Sequence, residues 1–119
     1  MLFRSHAALF LDTLPYNAHT TASDALFMDV PLLTCMGETV ASLVAASLLT
    51  RVGLPELITN QLADYEQKAL YFAQNPQKLV ELNVMQKKSA LFNAAQFAQD
   101  IEQQYLNVYQ NWQSHAKLP

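Results

Sequence analysis

Ala7-Ala8-Leu9-Phe10-Leu11-Asp12-Thr13-Leu14-Pro15-Tyr16-Asn17-Ala18-His19-Thr20-Thr21 is the stretch that decides the fold. Its first five residues form a continuous apolar run ended by Asp12 and Pro15. Such a run predicts a strand covered on both faces, as in a parallel sheet. Tyr16 to His19 read as loop. Thr20 or Thr21 is then expected to cap a short helix reaching about Met28, with Asp24 in its first turn or just beyond.

Downstream the same alternation repeats once. Pro31-Leu32-Leu33-Thr34-Cys35 predicts a second strand broken by Gly37, and Thr39 predicts the cap of a helix from Val40 to about Val52, stopped by Gly53. Leu57-Ile58 predicts a third, very short strand. From Gln61 the period changes to three and four, through Leu62, Tyr65, Ala69 and Phe72, which marks an amphipathic helix. Asn75-Pro76 ends it, and Pro76 suits the first turn of a following helix carrying Leu79, Leu82 and Met85. A last helix is expected to carry Phe97, Ile101, Tyr105, Val108 and Trp112 on one stripe. The expected fold class is α/β: a partial Rossmann-like parallel sheet of two or three strands with flanking helices and a helical C-terminal tail. Residues 1–119 read as a single partial domain, divided into an α/β portion at 7–60 and a helical tail at 61–119.

Composition narrows the function classes. The 119 residues are 51% hydrophobic and 14% charged, enough apolar material for one packed core. A formal charge of −3, with Lys87-Lys88 the only adjacent basic pair, argues against nucleic acid as a partner. Val40 to Leu49 is about half the roughly 20 residues that a membrane span needs, so no membrane partner is expected. Arg4 precedes no sustained apolar run with a cleavage site, which argues against a signal peptide. With Cys35 the single cysteine, a reducing, cytoplasmic location is expected.

The residues that carry chemistry lie at one junction. His19, Thr20 and Thr21 fall where a strand-exit loop meets a helix start, a place with unpaired amides and the positive end of the helix dipole. That chemistry suits phosphate. Asp24, about a turn on, suits a ribose hydroxyl. The same four residues also fit an ordinary helix cap with first-turn charge, and local pattern does not separate the two readings. His6, His19 and His115 are too dispersed for a metal site. Asp12 reads as a turn residue, Cys35 as a small strand-end residue, and Glu38 as support for the following helix or a second contact facing the cleft. Tyr105, Tyr109 and Trp112 read as packing.

Leu11-Asp12-Thr13, Pro15-Tyr16-Asn17, His19-Thr20-Thr21, Asp24-Ala25-Leu26, Val30-Pro31, Gly37-Glu38-Thr39 and Ala41-Ser42 occur in one order and spacing. They continue through Val44 to Leu49 and Gly53 to Ile58. Over about Ala7 to Trp112 this order resembles the last part of the catalytic region in the O-linked N-acetylglucosamine transferase family. The resemblance implies a GT-B protein glycosyltransferase with the donor bound mainly by its second Rossmann-like domain. His19, Thr20 and Thr21 would then hold the nucleotide diphosphate and Asp24 the ribose, with UDP-N-acetylglucosamine as donor and no metal. No catalytic residue is implied within this chain. The protein acceptor would be bound by upstream regions, so the chain is expected to be a carboxy-terminal piece, inactive alone and prone to self-associate. A non-enzymatic binding module that retains the fold is the alternative. The chain departs from the family pattern at Ala18, where glycine is common, at Met36, where proline is usual, and at Leu43, often arginine.

Overall fold

The structure, a computed structural model, describes residues 7–116. Arg4, His6 and the two ends of the 1–119 span lie outside the described residues. Three short parallel strands form the sheet in the order β1-β2-β3: β1 (Phe10–Leu11), β2 (Leu32–Cys35) and β3 (Ile58–Thr59). Phe10 and Leu11 pair with Leu32 and Leu33, and Thr34 and Cys35 pair with Ile58 and Thr59. Every residue of the central strand β2 is buried, the burial expected when a parallel strand is covered on both faces. The third strand sits one residue later than its apolar pair predicts. Pro55–Leu57 instead forms a 3-10 turn that directs Leu57 into the core.

Helix α1 (Thr20–Phe27) buries Ala22, Ala25 and Leu26, the i, i+3, i+4 face of the helix, and the two alanines let it lie close to the sheet. It ends with Asp29 in the left-handed region at φ 64°. The Asp29 amide donates to the Leu26 carbonyl at 3.1 Å and the Val30 amide to Ala25 at 2.9 Å, a Schellman closure with aspartate where glycine is commoner.

The helix expected over Val40 to Val52 is two elements. Val40–Ser42 is a 3-10 turn, and α2 (Val44–Arg51) follows. The interruption has a local cause. Ser42 Oγ accepts from the Thr39 amide at 2.9 Å and donates to the Thr39 carbonyl at 2.8 Å, so the side chain of the third residue closes the first turn tightly. Gly53, at φ 74°, closes α2 as expected, with the Leu54 amide on the Leu49 carbonyl at 2.9 Å.

The remaining helices are α3 (Leu62–Gln74), α4 (Pro76–Glu81, with proline in its first turn), α5 (Val84–Lys87) and α6 (Ala94–Ala116). Leu26, Leu32, Leu33, Leu49, Leu54 and Leu57 are fully buried, and Phe72 of α3, Leu82 just after α4 and Val84 of α5 join the same cluster. Each such side chain contributes roughly 1.5–3 kcal/mol by leaving water. The one helix expected to carry Leu79, Leu82 and Met85 is two, because Asn83 at φ 54° turns the chain between α4 and α5, and Met85 is left exposed.

Polar ties add to this core. Arg51 at the end of α2 donates through Nε to the Ala90 carbonyl at 3.3 Å and pairs with Asp100 of α6 at 3.1 Å. No residue of α6 is buried, so its aromatic stripe, expected to pack, is exposed within this chain. Tyr109 and Trp112 stack on one another there at 6.0 Å.

Candidate functional site

All five buried polar residues among the described ones, Asp12, Asn17, Thr34, Ser42 and Thr59, gather at or just beyond the carboxyl ends of the strands. In open parallel sheets that edge is where ligands bind, because the loops leaving it run into helix amino termini. Apolar residues would pack there as well as anywhere, so the concentration of polar side chains gives this edge a separate chemistry.

Helix α1 begins at this edge. His19, not Thr20 or Thr21, is its N-cap, with φ −99° and ψ −84° and no side-chain hydrogen bond to the helix start. This corrects the expected threonine cap. The first intrahelical bond runs from the Ser23 amide to the His19 carbonyl at 3.1 Å. The amides of Thr20, Thr21 and Ala22 precede it and have no acceptor within the helix. Thr20 and Thr21 are exposed in that first turn.

Asp24 stands beyond the first turn, at i+4 from Thr20 and i+3 from Thr21, which brings all three onto one helix face. His19 is half-buried, its ring stacks on Tyr16 at 4.8 Å, and its Nε2 is a buried atom with no hydrogen-bond partner among the described residues. The structure therefore brings the four predicted residues together at one helix start.

The loop feeding this start is held from several sides. Asp12 is 5% exposed and its carboxylate is held by three donors. Its Oδ1 accepts the Thr13 and Ala18 amides, both at 2.8 Å, and its Oδ2 accepts the Thr34 hydroxyl at 2.7 Å. Asn17 donates its amide to the Ala41 carbonyl at 2.9 Å and its Nδ2 to the Thr13 carbonyl at 3.0 Å, leaving a buried Oδ1 without a partner. Tyr65 of α3 donates its hydroxyl to the Asp12 carbonyl at 2.8 Å. Burial, and after it the charges of Asp12 and Cys35, raise the Tyr65 pKa above its ordinary 10.0. Asp12 reads as a turn residue by pattern. Its burial and its partner on β2 carry no local signal that a sequence reading could use.

Beside this loop lies an open, mostly apolar cleft of about 270 Å³, lined among others by Leu14, Pro15, Cys35, Glu38, Thr39 and Leu62. Glu38 is exposed on its rim, while Cys35 is buried at the end of β2. Among the described residues no group of three His, Cys, Asp or Glu side chains is arranged to hold a metal ion. No described helix is long and apolar enough to cross a membrane.

The family departures have local consequences. Ala18 is not among the residues with positive φ, so it takes the glycine position without backbone strain. The Met36 amide donates to the Thr59 carbonyl at 2.8 Å, a bond that proline could not make. Leu43 is partly exposed and links the 3-10 turn to α2.

Residues 4–101 match the family described as Glycosyl transferase family 41. The chain is 34% identical over 106 residues to a probable UDP-N-acetylglucosamine–peptide N-acetylglucosaminyltransferase SPINDLY of Petunia hybrida, covering 86% of this chain and 11% of that protein. It is 35% identical over 115 residues to the probable UDP-N-acetylglucosamine–peptide N-acetylglucosaminyltransferase SEC of Arabidopsis thaliana, covering 92% of this chain and 12% of that one. A solved structure of an O-GlcNAc transferase mutant from Thermobaculum terrenum superposes with a TM-score of 0.86 at 28% identity, over 97% of this chain and 23% of that chain. The chain thus spans about a tenth of the length of the two plant relatives.

Proposed function

The chain belongs to glycosyl transferase family 41, and from that membership we propose that it carries the diphosphate- and ribose-binding part of a nucleotide-sugar donor site. The donor in this reading is UDP-N-acetylglucosamine, the compound in the names of the plant relatives. The diphosphate lies against the first turn of α1, taking hydrogen bonds from the free amides, from the Thr20 and Thr21 hydroxyls and from the His19 ring. Asp24, one turn along the same face, accepts from the ribose hydroxyls.

The observation that carries the reading is the uncapped start of α1 at the carboxyl edge of a parallel sheet, with His19 at the N-cap and two exposed threonine hydroxyls beside it. A helix start without a side-chain acceptor keeps its donors for a ligand. Preorganised donors of this kind stabilise the negative charge that grows on a departing diphosphate, and the reading therefore takes no metal.

Transfer of the sugar to a protein side chain is proposed for this chain together with the remaining portion that its longer relatives carry. Positioning of donor and acceptor against each other is a large share of such catalysis. Residues 7–60 supply the donor contacts in this proposal. Residues 61–119 act as the tail that braces them.

Titration calorimetry with uridine diphosphate tests the assignment. Thr21→Ala is expected to weaken binding by about tenfold to a hundredfold, the worth of one hydrogen bond to a charged group. Equal affinity of the two proteins would remove the phosphate role.

A further inference from the structure

We propose that Asp12 is a positioning residue for the start of α1: through its bond to the Ala18 amide it sets the direction in which His19, Thr20 and Thr21 present their donors. The inference rests on the donor-site reading above and goes beyond it, because Asp12 is assigned no contact with the ligand.

A buried carboxylate is costly unless its lone pairs are satisfied by good donors. Asp12 meets that condition with three donors at 2.7–2.8 Å, two on Oδ1 and one on Oδ2. An ordinary turn residue would need only the adjacent Thr13 amide. The Ala18 bond closes the seven residues 12–18 into a ring, and the next residue, His19, is the N-cap of α1. One carboxylate therefore ties the end of β1 to the residue just before the helix N-cap.

The carboxylate is itself anchored. The Thr34 hydroxyl that donates to Oδ2 belongs to β2, and the Thr34 carbonyl accepts the Thr59 hydroxyl of β3 at 2.8 Å. From the other side Tyr65 of α3 holds the Asp12 carbonyl. A polar seam thus crosses all three strands and ends at the Ala18 amide. Fully satisfied buried networks of this type hold one geometry instead of several. Small errors in donor direction are what a diphosphate site tolerates least.

The test uses the 119-residue chain with Asp12→Ala, Asp12→Asn and Leu82→Ala, the last a core truncation outside the site. Two readouts are needed. The first is the amide NMR shifts and hydrogen exchange of Ala18 to Thr21 without ligand, and the second is affinity for uridine diphosphate. Asp12→Ala is expected to shift those amides, to expose Ala18 to exchange and to weaken binding about tenfold, the worth of one well-formed bond. Asp12→Asn keeps an acceptor for both amides, and the Thr34 hydroxyl can turn to accept its NH2, so affinity returns to within about threefold. Leu82→Ala is expected to lose heat stability and keep its affinity.

A folded Asp12→Ala protein with unchanged Ala18–Thr21 amides overturns the proposal. So does equal weakening in Asp12→Ala and Leu82→Ala, which would mark a general stability effect. Rapid exchange of the Ala18 amide in the wild type overturns it without any variant. Failure of the donor reading is separate: Thr21→Ala would then bind as the wild type does, while the amide signals still decide the role of Asp12.

Discussion

Lys88 Nζ lies 2.7 Å from Asp29 Oδ1, joining the helical tail to the residue that closes α1. The same ammonium donates to the Phe27 carbonyl at 2.6 Å and sits 5.2 Å from the centre of the Phe27 ring. A cation at the carboxyl end of a helix opposes the negative end of its dipole and satisfies a carbonyl the helix leaves open. The helix that starts at the candidate site is therefore held at its far end by the tail.

Two substitutions separate the ion pair from the backbone conformation at this closure. Asp29→Ala loses the pair and keeps a side chain at φ 64°, whereas Asp29→Gly loses the pair and relieves the left-handed strain. Asp29→Gly is expected to be the more stable of the two by about 1 kcal/mol. Lys88→Met should cost about 1 kcal/mol, because the pair is partly exposed and screened. Urea unfolding of the three variants measures both differences.

Gly37 and Gly53 should respond differently to alanine. A Cβ at Gly37 would lie 2.6 Å from Ser42 Oγ and 2.8 Å from Ser42 Cβ, so the Thr39–Ser42 closure beside the cleft must shift. At Gly53 the added carbon meets open space and only the positive φ resists it, at about 1 kcal/mol. Gly37→Ala is expected to lower the melting temperature further than Gly53→Ala. A smaller loss at position 37 would mean that Ser42 moves freely.

Alkaline stability should depend on Tyr65. Its pKa in the folded chain is raised above the ordinary 10.0 by burial, then by Asp12 and Cys35. The folded state thus holds the phenolic proton more tightly than the unfolded one. That contribution is fully present below about pH 10 and is lost as pH climbs through the raised value. Tyr65→Phe is expected to cost about 1 kcal/mol near neutral pH, from the missing bond to Asp12. It should then lose less stability than the wild type when pH is raised past 10. Parallel pH dependences of the two proteins would contradict this.

The exposed stripe on α6 predicts self-association of the chain. Tyr105 is 70% exposed and Trp112 62%, with Ile101 and Val108 on the same face. Contiguous apolar surface of this kind commonly marks a contact face. Light scattering across a concentration series should show a mass that rises with concentration. Tyr105→Glu combined with Trp112→Glu should hold the chain monomeric, and a wild type that stays monomeric at high concentration would refute the prediction.

The amino-acid sequence by itself determined the order of the three strands and of the helices through α3, the stops at Gly53 and Pro76, the register shared with a transferase family and the grouping of His19, Thr20, Thr21 and Asp24. These features rest on neighbours along the chain: apolar period, turn chemistry and the spacing of a few residues on one helix face. The tertiary structure alone decided that His19 is the N-cap, that the helix begun at Pro76 breaks at Asn83, that β3 is Ile58–Thr59, and that Asp12 is a buried junction. The deciding bonds for Asp12 span 22 residues to Thr34 and 53 to Tyr65. Whether a carboxylate after a strand faces water or a threonine on the next strand depends on sheet register and on the helix packed over the strand ends. No local propensity encodes either.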